Sequence, residues 1–136
     1  MTAEKLVSLD DLDLVSECSD SYEFELQDAK GKDTGIFVSV VGSHADKVKA
    51  WQFKRTNEIR TRMAIAKRKG KEDDITLAED DAELGSEAIA IRVTGWRGIK
   101  EECNFQNAIK LCSRNPVFAE QIFRESENLA NFTKSK

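Results

Sequence analysis

The sequence predicts an α+β fold in which a small antiparallel sheet, an N-terminal hairpin plus a third strand, accompanies one long basic helix and a C-terminal helical hairpin. Three patterns predict it: alternating apolar and polar residues in the N-terminal third, helical spacing in a long basic segment, and capping residues ahead of two apolar segments near the C-terminus. With 136 residues, 40% of them hydrophobic and 34% charged, we expect a single domain over 1–136 with a solvated exterior.

Two strands are predicted at residues 22–26 and 36–41. Apolar residues alternate with acids in the first, which directs one face inward, and the second is rich in β-branched residues. The polar segment 28–35 between them contains two glycines. It therefore suits the loop of a β-hairpin.

A helix is predicted over residues 44–69, with Ser43 and Asp46 forming a capping box at its start. Its predicted apolar stripe consists of Val48, Trp51, Ile59, Met63 and Ala66. Gly70 follows a basic last turn and is a suitable stop. Residues 71–86 combine acids with few large apolar residues, so we expect an acidic, mobile connector there.

Alternation resumes at residues 89–93 and predicts the third strand, which ends in Thr94-Gly95-Trp96-Arg97-Gly98-Ile99. Asn104 is a suitable cap for a short helix. Asn115 and Pro116 supply a second cap and a first-turn proline for a final helix. Together these two helices predict a C-terminal helical hairpin.

Charge is segregated along the chain although the net charge is only -4. Residues 1–33 carry 3 basic and 10 acidic groups, and residues 34–71 carry 10 and 2. Residues 72–91 carry 0 and 8, and residues 92–136 carry 8 and 5. Such blocks are typical of solvated faces, and neighbouring blocks of opposite sign can also attract one another or match a partner.

The sequence offers little catalytic chemistry. His44 is the sole histidine, so histidine-based metal sites and catalytic triads have one residue to build on, and no nucleotide-binding glycine motif is present. We therefore expect no enzyme activity, no cofactor and no metal site. Three cysteines without CxxC spacing, an acidic N-terminus and the lack of a long apolar segment predict a cytoplasmic protein with no membrane span. The basic helix carries no recognition motif, which disfavours nucleic-acid binding.

The predicted C-terminal hairpin carries Phe105, Phe118, Phe123 and Phe132, and a short helix pair cannot bury them all on itself. The predicted partner-binding residues are Trp96, Arg97, Phe105, Phe118, Phe123 and Phe132. Trp96, between two glycines, is expected to anchor the core or a hinge. Phe118 is expected to lie outside the core stripe that contains Phe123, which makes it the preferred single contact.

The C-terminal part of the sequence contains an ordered set of short motifs. They are a strand ending in V-x-G-W-x-G-I from Val93, a short helix with Phe105, Asn107, Ala108 and Leu111, a proline-started helix with Gln121 and Ile122, and the pair Asn131-Phe132. In this order and spacing the chain resembles the tail assembly chaperones of long-tailed bacteriophages. A looser similarity extends upstream through Thr34-Gly35 and Val41-Gly42-Ser43 to the basic helix.

The resemblance implies a non-enzymatic protein of the host bacterial cytoplasm that binds the tape measure protein, helps to recruit tail tube subunits and is absent from the mature virion. It leaves self-association open. Two other functions stay open: a structural tail or head–tail connector protein retained in the virion, and a small prophage-encoded inhibitor of a host protein.

Overall fold

The structure, a computed structural model, describes residues 6–70 and 77–133. Its helices are α1 (Leu14–Cys18), α2 (Asp46–Arg68), α3 (Leu77–Ala90), α4 (Phe105–Arg114) and α5 (Pro116–Glu127), and its strands are β1 (Tyr22–Gln27), β2 (Asp33–Val40) and β3 (Val93–Arg97). Short 3-10 turns occupy Leu9–Asp11 and Leu129–Asn131. The predicted α+β class is confirmed.

The sheet has the order β1-β2-β3, and both strand pairs are antiparallel. Phe24 pairs with Val38 across the predicted hairpin, and Val38 pairs with Trp96 on β3. Because side chains alternate along a strand, Leu26, Val38 and Val40 fall on one face and are fully buried. The helices α3, α4 and α5 pack together, and α5 contacts β1 and β2.

Helix α2 confirms the predicted long basic helix, but its start and its packing differ from expectation. Its N-cap is Ala45, without a side-chain cap, because the amide and hydroxyl of Ser43 both donate to the Ser126 carbonyl at 3.1 and 3.4 Å. The predicted capping box is therefore wrong. Of the predicted stripe, Val48 is buried, Trp51, Ile59 and Ala66 are half-buried, and Met63 is 50% exposed. Arg55 also pairs with Glu87 of α3 at 3.3 Å, so α2 is held along one side and exposed on the other.

Helix α3 occupies residues for which the sequence predicted a connector and the start of a strand. The expected connector, 71–86, lies partly outside the described residues, and from Leu77 onward the chain is helical. The expected strand at 89–93 is also displaced, since α3 ends at Ala90 and β3 begins at Val93. The alternating alanines and isoleucines at 88–91 are compatible with either a helix or a strand, and packing of α3 against α4 favours the helix up to Ala90.

The C-terminal helices are joined by Asn115 alone, and of their two predicted caps only Asn104 makes a side-chain cap hydrogen bond. The Asn115 side chain instead donates to the Leu111 carbonyl at 2.9 Å, at the end of α4. The Asn104 side chain accepts from the Asn107 amide at 2.8 Å, and Pro116 is the first residue of α5. Among the described residues, no helix has the length and apolarity to cross a membrane.

Helix α5 is joined to the sheet by two buried polar side chains. Gln121 accepts from the Gln27 amide at 2.8 Å and donates to the Gln27 carbonyl at 2.7 Å, so its amide group acts as one more strand residue at the edge of β1. The Ser126 hydroxyl donates to the Val41 carbonyl at 2.7 Å. Buried backbone groups need such partners, so these contacts fix the position of α5.

Candidate interaction site

The six residues predicted to bind a partner do not share one surface. Phe132 is 5% exposed and belongs to the core, so its ring is not available to a partner. Trp96, Phe105 and Phe118 are half-buried and pack against the core. Phe123, with 40% of its surface exposed, is the most accessible of the five aromatic residues.

Arg97 lies on the face of the sheet opposite Trp96, since neighbouring strand residues point to opposite sides. Its guanidinium binds the Glu23 carboxylate through two nitrogens at 3.0 and 3.2 Å and lies 3.9 Å above the Phe37 ring. This hydrogen bonding lowers the pKa of Glu23. Arg97 therefore joins all three strands on the outer face of the sheet and is remote from the C-terminal aromatic residues.

A groove of about 220 Å³ borders Trp96 and one side of α4. Its apolar lining comes from Trp96, Ile99 and Leu111. Its polar rim consists of Glu101, Asn107, Lys110, Arg114 and Asn115. Four residues of the C-terminal sequence motifs, Trp96, Ile99, Asn107 and Leu111, thus meet in one groove, which also has the basic residues Lys110 and Arg114 on its rim.

Two of these residues also shape the loop between β3 and α4. The Trp96 indole nitrogen donates to the Glu101 carbonyl at 2.9 Å, and the Asn107 side chain donates to the Glu102 carbonyl at 2.8 Å. The half-buried Trp96 ring is therefore an anchor for this loop, in accord with the role expected for it.

Gly98 is required where this loop leaves the sheet. Its φ is 92°, a conformation that L side chains rarely adopt. A Cβ atom there would also lie 2.6 Å from the Gly35 carbonyl oxygen and 3.2 Å from the Ile36 Cα. The second glycine of the V-x-G-W-x-G-I motif thus allows the loop to contact the backbone of β2.

The expectation about Phe118 and Phe123 is reversed. Phe118 packs against the core, whereas Phe123, expected within the core stripe, lies on the flank of α5. The buried residues of α5 are Ala119, Gln121, Ile122 and Ser126. At about 100° per residue, Phe118 falls between Gln121 and Ile122 on the helix circumference, whereas Phe123 lies beyond Ala119 at the edge of the buried side.

Arg92 supports the exposed Phe123 ring. This arginine is 4% exposed, and its Cζ lies 4.8 Å from the ring centroid in a cation–π arrangement. Burial lowers the pKa of Arg92, and the nearby Glu127 raises it. No group among the described residues accepts a hydrogen bond from its Nε or Nη1. Arg92 was not predicted from the sequence to be part of the site. The one feature that could have indicated it is the position of a basic residue within an apolar segment.

Two of the three cysteine thiols, those of Cys103 and Cys112, are not activated as nucleophiles. Burial raises the pKa of Cys112 to about 12 and also raises the pKa of Cys103, so both thiols stay protonated near neutrality. His44 is exposed just before α2. Within 6–70 and 77–133, no three His, Cys, Asp or Glu residues group as metal ligands.

Two exposed apolar surfaces were not predicted. One is an N-terminal arm, residues 6–13, in which Leu6 and Leu9 are 91% and 84% exposed. The other is on α2, where Phe53 is 70% exposed. The sequence signal for both was apolar residues dispersed within strongly charged segments.

Comparison with protein-family models, with curated proteins and with solved structures finds no match to this chain.

Proposed function

We propose that the protein is a non-enzymatic tail assembly chaperone of a long-tailed bacteriophage. It acts in the host cytoplasm, binds the tape measure protein and helps to recruit tail tube subunits. The observation that carries the proposal is the exposed Phe123 ring on α5, which makes a cation–π contact with the buried Arg92. The resemblance of the C-terminal motifs to this family implies the tape measure protein as the partner.

The proposed contact is between Phe123 and an apolar stripe on a helix of the tape measure protein. An aromatic ring offers a large contact area at a small entropic cost, which is why aromatic residues dominate many interfaces. The neighbouring Arg92 is positively charged, and a carboxylate of the partner next to the ring would be attracted to it. The motif residues Trp96, Gly98 and Asn107 support this contact by shaping the fold.

The exposed apolar area around Phe123 is small, and this favours reversible binding. Val117, the other exposed apolar residue of α5, lies on the opposite flank of the helix. A single aromatic contact gives weak binding per site. Weak sites along a long helical partner suit a protein that covers it during assembly and then leaves.

Coexpression with the tape measure protein tests this proposal. We expect Phe123→Gln to stay folded, since the ring is 40% exposed, while the tape measure protein shifts to the insoluble fraction. Ile65→Gln is the matched control, because Ile65 is also 40% exposed but lies near the end of α2. Tape measure solubility equal to wild type with Phe123→Gln would reject the contact.

Mass spectrometry of purified phage particles separates the alternatives. A chaperone is absent from the particle, whereas a structural tail or connector protein is present in stoichiometric amount. An inhibitor of a host protein would be recovered with that protein in cells that lack every other phage gene.

A further inference from the structure

We propose that two copies of this chain form a dimer in which the N-terminal arm of each copy lies along α2 of the other. The proposal concerns a surface separate from Phe123 and does not depend on the proposed function. It rests on two exposed surfaces of opposite charge, each carrying apolar residues, that do not cover each other within one chain.

The arm, residues 6–13, is apolar and acidic. Leu6, Val7, Leu9 and Leu12 are exposed by 91%, 58%, 84% and 67%. Asp10 and Asp11 lie between them in a 3-10 turn, and residues 6–20 include no lysine or arginine. Three exposed leucines in and beside one short turn form an apolar patch of the kind that marks a contact surface.

The arm has a fixed origin. Helix α1 follows it directly, and its last residue, Cys18, is fully buried. The Cys18 carbonyl accepts from the Gly42 amide at 2.7 Å. The arm therefore extends from a defined point on the domain, and it can serve as a directed contact element.

The complementary surface is a stripe along α2, which we call the outer stripe. Its members are spaced alternately by four and three residues: Lys49, Phe53, Thr56, Arg60, Met63 and Lys67. At about 100° per residue they fall within roughly 80° of the helix circumference. The stripe includes three basic residues, no acidic one, and two apolar side chains, Phe53 and Met63, that are 70% and 50% exposed.

Charge and hydrophobicity match between the two surfaces. Asp10 and Asp11 would lie near Arg60 and Lys67, while the arm leucines cover Phe53 and Met63. Exposed charge pairs are individually weak, so they determine the register and the partner, and the apolar contacts supply most of the affinity.

A second copy is the occupant that satisfies both surfaces. Within one chain the arm leucines and Phe53 are all exposed, so the arm does not cover its own helix. In a twofold dimer the same contact is made twice, which doubles the buried area. Nucleic acid would match the basic residues but would leave the leucines exposed, and the acidic arm would repel its phosphates.

Sedimentation of the full chain over a range of concentrations tests the proposal. We expect the average mass to rise from 15.3 kDa toward twice that value. The dimer should weaken between about 0.1 M and about 1 M salt, where the screening length falls from about 10 to about 3 Å. Leu9→Asp should weaken the dimer at least about tenfold, because each dimer loses the leucine twice.

Charge reversal gives the sharper test. Asp10→Lys with Asp11→Lys makes the arm basic, and Arg60→Glu with Lys67→Glu makes the outer stripe acidic. Each double variant alone should be monomeric, since its arm and stripe then carry the same sign. Mixed together they should form a heterodimer, visible by native mass spectrometry, because both of its contacts again pair opposite charges.

A matched control reverses two exposed acids elsewhere, Glu102→Lys with Glu120→Lys, and should dimerise like the wild type. Three results would overturn the proposal: a wild-type mass of 15.3 kDa at every concentration, a mixture that stays monomeric, or an equal loss in the control. A monomeric wild type that binds a mixed-sequence DNA duplex through Arg60 and Lys67 would identify the outer stripe as a nucleic-acid surface instead.

Discussion

Replacing Phe132 by alanine measures how much the packing of this ring contributes to the free energy of unfolding. The ring is 5% exposed and meets Tyr22 edge to face at a centroid distance of 6.2 Å. A Cβ atom at Gly42 would lie 3.1 Å from the same ring, so the site is tightly packed. Phe→Ala changes in a core cost about 3 to 5 kcal/mol of the free energy of unfolding.

We expect the lower part of this range, about 3 kcal/mol, because Phe132 follows a short 3-10 turn that can separate locally before the domain unfolds. That loss corresponds to a fall in Tm of about 10 °C for a chain of this size. Chemical denaturation followed by circular dichroism gives the free energy, and an unchanged m-value would show that two-state unfolding is retained.

Phe53→Ala is the matched control, since it removes the same ring from a position that is 70% exposed. Measured on monomeric protein, it should alter the free energy of unfolding by about 0.5 kcal/mol or less. Equal losses in the two variants, or a loss below about 1 kcal/mol for Phe132→Ala, would refute the assignment of Phe132 to the core.

Three further predictions follow from other sites. Gly98→Ala should cost about 2 to 4 kcal/mol because the new methyl meets the β2 backbone at a positive φ, whereas Gly95→Ala, with open space around it, should cost far less in the same denaturation assay. By NMR titration the Glu23 pKa should lie below 4.5 and should rise in the Arg97→Gln variant. Because this pKa is lower in the folded state, the pairing with Arg97 stabilises the protein fully at pH values above the unfolded-state pKa. The stabilisation is lost as the pH falls through the folded-state pKa. Cys112, with a pKa of about 12, should resist alkylation near about pH 8 until denaturant is added, and rapid labelling of the native protein would contradict its burial.

Elements with local signals were predictable from the sequence. The β1–β2 hairpin follows from alternation and a polar loop. Helix α4 begins directly after its Asn104 cap and α5 begins at Pro116, because caps and first-turn prolines act within a few residues. Ser43 shows the limit of such reasoning. Its hydroxyl was a plausible cap, but the Ser126 carbonyl, 83 residues away, takes both of its donors.

The candidate site was less predictable because exposure depends on how a helix is rotated against the sheet. Phe118 and Phe123 are both aromatic residues of α5, and their spacing allows either to face the core. Gln121 settles the rotation by binding Gln27 on β1, a contact across 94 residues with no sequence signal of its own. If the rotation of α5 about its axis is predicted wrongly, the ring predicted to be buried is the exposed one, and the reverse.

The bonds from Gln121 to Gln27 and from Ser126 to Val41 also bear on how the protein is made. During translation the sheet strands leave the ribosome well before α5, which must follow before the Gln27 and Val41 backbone groups gain these partners. The nascent chain therefore presents an incomplete apolar sheet face until α5 has left the ribosomal exit tunnel, a stage at which polypeptides are prone to aggregate. A pause while α5 is still inside the tunnel would prolong this exposure, whereas a chain that has emerged as far as Phe132 can close its core.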